Sequence, residues 1–470
     1  MQKLFKSCHK MDKRCYTKYD LNEDILMEHA AQGMATYIKE YFPKGSTILI
    51  VCGSGNNGGD GVVLARQLYS DYTVSLYVPF GTSSPIAKLQ LKRTLKLGIT
   101  LCDKIHEADI IVDALFGAGL NRELDEATQI LLHQLNTLTG FKLSCDVPTG
   151  VGSDGRLMPF AFKADVTVTM GALKESLYLD ETKEVTGEII CTNLGVSRQM
   201  YELHSDTFVL ERDDLKLPSR KQKSTHKGSF GHAAVFCGKK EGAGIIAAMA
   251  ASCFGVGLTT LVTCKSISPP PFLMHENIVP KNTTALAIGM GLGDHFEAEF
   301  LQKHIIDSRL PIVLDADAFY SEALLGILSQ KEREVVITPH PKEFTILWER
   351  LTGESLSVAQ IQSTRFDMVR RFNKKFPHVT LLLKGANMLM VQKNKLYVNP
   401  LGNNKLSKGG SGDVLSGLIV SLLAQGYTSL EATIQGSLAL TLAAEKYDGA
   451  SYAMLPTDLI ENLSMLESMI

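Results

Sequence analysis

No stretch of the 470 residues is apolar for long enough to span a bilayer, and Met1 to Asp20 mixes charges throughout where a signal peptide would carry an apolar h-region. Neither membrane insertion nor secretion is expected. An excess of charge of one sign is also missing. The 48 Lys and Arg against 50 Asp and Glu leave a formal net charge of −2, which offers no basic field to a nucleic-acid partner. Lys and Arg do gather between Lys216 and Lys227, and a short exposed linker explains that run. The nine scattered cysteines contain no C-x-x-C pair, which argues for free thiols in a reducing cytoplasm and against a disulfide frame or a zinc site. The standard dinucleotide fingerprint followed by a ribose-binding acid is lacking as well. What remains is a soluble cytoplasmic protein without membrane or nucleic-acid partners.

The length supports two cores. Periodicity fades after Leu194-Gly195, and Glu211 to Lys227 is dense in charge with Pro218 inside it, so the expected domains are 1–205 and 206–470. In the first, Asp20-Leu-Asn-Glu23 has the spacing of a capping box before an amphipathic helix that ends near Pro43. Thr47 to Val51 reads as a buried parallel strand opening onto Gly53-Ser-Gly-Asn-Asn-Gly-Gly-Asp-Gly61. Amides and an acid among glycines suit phosphate on one side and a hard cation on the other. Val74 to Val78 and Ile110 to Gly117 read as further strands, the second with Asp113 at its carboxyl end. Lys142 to Gly150 repeats that arrangement with Asp146. Both acids and the glycine loop are expected at the carboxyl edge of one sheet, where open α/β sheets bind ligands.

The second half continues the alternation of strand and helix. His226 to His232 leads into a strand, and Gly242-Ala243-Gly244 opens an Ala-rich helix. Gly289 to Gly293 and Leu314 to Ala318 mark two more strand ends, and Val335 to Thr338 ends at Pro339-His340-Pro341. Val379 to Leu383 runs into Lys384-Gly-Ala-Asn-Met388, and Lys395 to Val398 returns as a hairpin strand across Lys393-Asn394. Ser407 to Gly417 then packs four glycines and Asp413 into a turn that enters an apolar helix. That is an anion hole with a base beside it, although a lone Asp at a helix start also stabilises the dipole.

The motifs NNGGDG, DALFGAG, DVPTGV and FKADVTVTMGALK, over roughly 20–200, resemble the amino-terminal domain of the YjeF family, the epimerase of hydrated NADH and NADPH. The resemblance implies a Rossmann-like three-layer α/β sandwich. It also implies a substrate lined by Asn56, Asn57, Gly58, Gly59, Asp60, Gly117, Ala118, Gly119, Leu120, Asn121, Arg122 and Glu123, with Asp146 on the hydrated nicotinamide as catalytic group. Asn57, Asp113 and Thr149 would hold potassium, Thr149 standing where serine is usual. HKGSFGH, GMGLG, DADA, TPHPKE, LLLKGAN and GGSGDVLSG, over about 208–470, are similar to the same family's carboxyl-terminal domain, a dehydratase of ribokinase-like α/β architecture. That similarity implies an adenine-nucleotide site at Lys384, Gly385, Ala386, Asn387, Met388 and Gly412. Ala243, Gly291, His340 and Asp413 would surround the hydrated dinucleotide, with Asp413 catalytic. ADP or ATP is the implied co-substrate, Mg2+ its metal, and a homo-oligomer the expected assembly. Lys405-Leu406-Ser407-Lys408 departs from the Met-Ala-Thr type usual before the glycine cluster.

The chemistry is consistent with that implication. Hydroxide leaves poorly, whereas a phosphate ester on the same carbon leaves as the ring nitrogen's lone pair pushes in. Two rivals stand beside this reading: a kinase for a small vitamin alcohol, and a non-catalytic binding module in the first half.

Overall fold

A computed structural model describes residues 1–293 and 301–469. The chain divides into two compact units, Lys3–Ser205 and Asp206–Ile470 together with Met1–Gln2. Among the described residues no helix is long and apolar enough to cross a membrane.

The first unit is built on strands that are apolar on both faces. In chain order the unit has β1 Gln2–Phe5, β2 Thr47–Cys52, β3 Thr73–Tyr77, β4 Ile110–Ala114, β5 Phe141–Cys145, β6 Val166–Met170, β7 Leu173–Lys174 and β8 Glu188–Thr192. Six of them form a parallel sheet in the order β3-β2-β4-β5-β6-β8. Nearly every residue of β2, β4 and β6 is buried, the mark of a sheet covered on both sides. One face carries Leu26, Met34, Val62 and Leu68 from the helices Glu23–Tyr41 and Asn56–Leu68. The other carries Leu131, Leu132 and Leu135 from the helix Glu126–Thr137. β1 and β7 pair in parallel apart from this sheet, with Phe5 opposite Lys174.

One local expectation changes. Asn22, not Asp20, caps the first long helix. Its side chain accepts from the Ile25 amide at 3.0 Å, while Asp20 turns left-handed at φ 56° two residues earlier. The amino end is also ordered, with β1 followed by a helix His9–Lys18. The glycine loop, by contrast, enters a helix as expected. A methyl group on Gly58 would lie 1.8 Å from the Gly53 carbonyl oxygen, and one on Gly61 2.7 Å from Cys52 Sγ and Ala114 Cβ, so only glycine lets this helix lie on β2 and β4.

The second unit adds β9 Thr207–Val209, β10 His232–Phe236, β11 Leu258–Val262, β12 Met274–Glu276, β13 Ala285–Ile288, β14 Ile312–Leu314, β15 Val335–Ile337, β16 Thr380–Leu383, β17 Met388–Gln392 and β18 Lys395–Asn399. They run in the order β12-β11-β10-β13-β14-β15-β16-β17-β18-β9. From β12 to β16 the sheet is parallel, and β17 is antiparallel to both of its neighbours. Lys393 and Asn394, at φ 47° and 64°, make the tight turn between β17 and β18 that their sequence predicts. The helix Ser411–Ala424 is buried all round from Val414 onward and packs on the helix Glu241–Cys253. Gly417 makes that approach possible, since a methyl group there would meet the Ala247 carbonyl oxygen at 2.2 Å. Lys216 to Lys227 is exposed for most of its length but lies inside the second unit, so the basic run is a surface arm of that unit and not the junction.

Candidate active sites

In each sheet the strand order reverses at one place, between β2 and β4 in the first and between β10 and β13 in the second, and the crevice at such a reversal is where α/β sheets take ligands. The first crevice holds a cavity of about 540 Å³. Ser54 and Gly55 line it from the loop after β2, Asn56, Asn57 and Asp60 from the start of the helix that follows, Leu115 to Arg122 from the loop after β4, and Asp146 from the end of β5. The structure therefore brings together Asn56, Asn57, Asp60, Gly117, Ala118, Gly119, Leu120, Asn121, Arg122 and Asp146. Gly58 and Gly59 are buried beneath the loop, against Gly53 and Met27, and serve packing instead of lining the cavity. Glu123 is exposed outside it.

Asp146 sits at φ 68°, a left-handed conformation uncommon for a residue with a side chain. Its Oδ1 accepts from Lys174 Nζ at 2.6 Å, the Met170 amide at 3.0 Å and Thr169 Oγ1 at 3.1 Å, whereas among the described residues Oδ2 accepts only from the Ala118 amide at 3.4 Å. Burial alone would raise this carboxyl. The Lys174 charge and hydrogen bond, with the amides of Met170 and Ala118, outweigh burial and hold it below its ordinary value. Asp60 goes the other way. Burial, then the charges of Asp146, Glu23 and Asp12, push it well above the carboxylate range.

Asp113 does not reach the cavity. It is fully buried, with Oδ2 accepting from the Thr149 amide and Oδ1 from the Thr149 hydroxyl, both at 2.7 Å. Thr149 Oγ1 in turn accepts from the Phe116 amide at 2.9 Å, and the next residue, Gly117, abuts the amide oxygen of Asn57. Burial raises Asp113 to about 6 despite these bonds. The Asn57 amide nitrogen is buried with no hydrogen-bond partner among the described residues. The Asn57 amide oxygen and the Thr149 hydroxyl, with a buried carboxylate that no described cation pairs with, are the oxygen ligands a hard cation takes.

Sequence reasoning passed over the residues that complete this cavity. Asp12 and Tyr16 come from the amino-terminal helix, and Asp12 accepts from the Tyr201 hydroxyl at 2.5 Å. Glu23 lines the wall and accepts from Asn56 Nδ2 at 2.5 Å. Lys174, the last residue of the quoted FKADVTVTMGALK motif, is the partner of Asp146. The motif itself was the available signal.

In the second unit the strand-end loops meet around Lys384. Its Nζ lies 2.8 Å from Asp315 Oδ1 and 3.8 Å from Glu343 Oε2, and Ser416 Oγ donates to Asp315 Oδ2 at 3.0 Å. A methyl group on Gly412 would lie 3.4 Å from Lys384 Nζ, which puts the start of the helix Ser411–Ala424 directly against that ammonium. Gly410 caps the helix in the left-handed conformation, and Val414 is the first amide to bond back, to Gly410, so the Gly412 and Asp413 amides precede the helical ladder. No described residue holds the Asp413 carboxylate by a hydrogen bond. Burial and the Asp315 charge raise it, against Lys384, to about 7, a value suited to a base at neutral pH.

Gly291, at φ 59°, lies beside Ala243, 3.2 Å from a methyl group placed on it to the Ala243 Cβ. His340 is exposed and caps the helix Pro341–Thr352. Its Nδ1 accepts from the Lys342 and Glu343 amides at 3.2 Å, which leaves the proton on Nε2. Gly385 and Ala386 are exposed beside Lys384, whereas the Asn387 side chain is buried and Met388 packs in the core, so Met388 can offer only its backbone. Asp315, Glu343 and Ser416 are the members that the sequence left unassigned.

Comparison with known proteins fits both halves. Residues 23–176 match the family described as YjeF-related protein N-terminus, and residues 233–465 match NAD(P)H-hydrate dehydratase. A Helicobacter pylori protein called bifunctional NAD(P)H-hydrate repair enzyme is 39% identical over 99% of this chain and 100% of its own. The chain belongs to the bifunctional NAD(P)H-hydrate repair enzyme family. Members from Coxiella burnetii and Dictyoglomus turgidum are 32% and 31% identical, covering 95% and 97% of this chain and 95% and 96% of their own. Among solved structures, the ADP/ATP-dependent NAD(P)H-hydrate dehydratase of Bacillus subtilis, co-crystallised with ATP and Mg2+, superimposes with a TM-score of 0.45 at 23% identity over 53% of this chain and 93% of its own. The two matched regions fall one in each unit.

Proposed function

We propose that this chain repairs hydrated NADH and NADPH: the first unit interconverts the R and S hydrates, and the second dehydrates the S form at the expense of ADP or ATP. The observation that carries this reading is a carboxylate-centred cluster at the strand ends of each unit, each suited to a different proton task. In the first, one carboxyl is drawn below its ordinary range and another is pushed well above it in one cavity, an arrangement suited to a site that both gives and takes a proton. Loss of the ring hydroxyl as water, and return of water to the other face, need both. Asp146 is the group that takes the proton.

Asn57, Asp113 and Thr149 are the residues that would hold potassium, which would supply fixed positive charge under the loop carrying the substrate phosphates. In the second crevice Asp413 takes the hydroxyl proton as the oxygen attacks the terminal phosphorus of the nucleotide, which leaves one phosphate shorter. The Gly409 to Gly412 backbone and Lys384 stabilise the transferring group. The ring nitrogen's lone pair then expels phosphate, and loss of a proton from the adjacent ring carbon restores the double bond. Asp315 and Glu343 beside Lys384 suit a nucleotide whose phosphate charge is balanced by magnesium. Purified protein incubated with hydrate and each nucleotide tests the reading: absorbance of the reduced ring should return. A phosphorylated alcohol as end product would instead mark a small-molecule kinase.

A further inference from the structure

We propose that Lys174 is the positioning residue of the first crevice: it occupies one oxygen of Asp146 and leaves the other as the atom that meets the substrate. The inference rests on the reading of Asp146 as the proton-carrying group.

The geometry around the pair is one-sided. Three donors converge on Asp146 Oδ1, from Lys174, Thr169 and the Met170 amide, and among the described residues only the long 3.4 Å contact from Ala118 reaches Oδ2. Oδ2 is also the oxygen nearest Gly117, 3.3 Å from where a methyl group on that residue would sit, and Gly117 lines the cavity. Lys174 is 4% exposed, and the two hydrogens its ammonium has left after Asp146 are shared among Thr169 Oγ1 at 2.8 Å and the carbonyls of Met170 and Ala172 at 3.2 and 3.4 Å. No donor is left over for a ligand, so Lys174 acts through Asp146. Its place is fixed by the two-residue strand β7, which pairs with β1 and sets Lys174 opposite Phe5.

The other titratable groups around the pair show why a cation is needed there. Asp60 faces Asp146 from the helix Asn56–Leu68, and Asp12 and Cys8 face it from the amino-terminal segment. Cys145 precedes it on β5, Tyr201 feels its charge, and Cys191 acts on Lys174. Glu23 and the exposed Arg122 line the same cavity, so the acids Asp12, Glu23 and Asp60 outnumber the one other cation described there. Without Lys174, Asp146 would be a fourth acid in the same enclosure and would hold its proton to higher pH.

The test is epimerisation against pH in the full chain, with ATP-dependent dehydration of the S hydrate as the control for folding. Lys174→Met should slow epimerisation at neutral pH by about tenfold or more, move the acid limb of the profile up by about one pH unit or more, and leave dehydration unchanged. Lys174→Arg should return the limb toward wild type. A Lys174→Met profile with the wild-type limb, whatever its height, overturns the proposal. Where Lys174→Met does not fold, Thr169→Val removes one donor from Oδ1 and should move the limb in the same direction by less; an unmoved limb there overturns it equally. Asp146→Asn measured alongside separates the two readings. Activity retained in that variant overturns the role of Asp146 and this inference with it, whereas loss there with an unmoved limb in Lys174→Met overturns the positioning role alone.

Discussion

Asp315 holds Lys384 at 2.8 Å with its own side chain only 3% exposed, and the same carboxylate pushes Asp413 upward from across the site. One residue therefore sets both the phosphate-binding cation and the base. Asp315→Asn should lower the Asp413 pKa from about 7, so that the acid limb of dehydration moves to lower pH, because the base is active only when ionised. It also removes one partner of a buried ion pair, which costs about 3–5 kcal/mol, toward the lower end here since Glu343 remains beside Lys384. The pH profile of dehydration and thermal unfolding of the variant measure the two effects.

Asp113 is the residue through which potassium should show itself without any assay of turnover. A carboxyl raised to about 6 in the fold from an unfolded value of 3.8 keeps its proton longer when folded, so the protein loses stability as pH rises across that window. A bound cation offsets the loss. Potassium in place of choline should therefore raise Tm above about pH 6 and have little effect well below it, with about 2.7 kcal/mol gained at a hundredfold excess over Kd. Thr149→Ser keeps the hydroxyl and should keep the response, and Thr149→Ala should lose it.

Gly117→Ala adds a methyl group 2.7 Å from the Asn57 amide oxygen and 3.3 Å from Asp146 Oδ2. Its backbone is not in the left-handed region, so the effect is local crowding of the cavity and not strain. Epimerisation should fall by about tenfold or more while dehydration stays at the wild-type rate, since steric displacement of a positioned group by an ångström is worth about that much. Separate assays of the two steps check it.

Much of this was legible in the residues. A β-branched run ending in Asp113, the similar strand end at Asp146, and glycine clusters opening helices give the strand-edge sites because those patterns follow from local backbone preference. The partners of the acids were less so. Lys174 and Asp315 are defined by which strand ends become neighbours, and a pairing across 28 or 69 residues leaves no local periodicity. Asp12 and Tyr16 were hidden for another reason: a charged amino end reads as solvated until β1 pairs with β7 and anchors the following helix. Gly58 and Gly59 illustrate the reverse error. A glycine in a ligand loop can be required by the packing beneath it, as Gly53 and Met27 demonstrate.

The central claim is that two separate sites divide one repair task, and a mixture of R and S hydrates tests it most directly. With ATP present, the wild-type chain should return the whole mixture to reduced nicotinamide absorbance, Asp146→Asn should stop rapidly at the S fraction, and Asp413→Ala should bind nucleotide yet return none. Complete rapid recovery by Asp146→Asn, or substantial recovery by Asp413→Ala, would contradict the account.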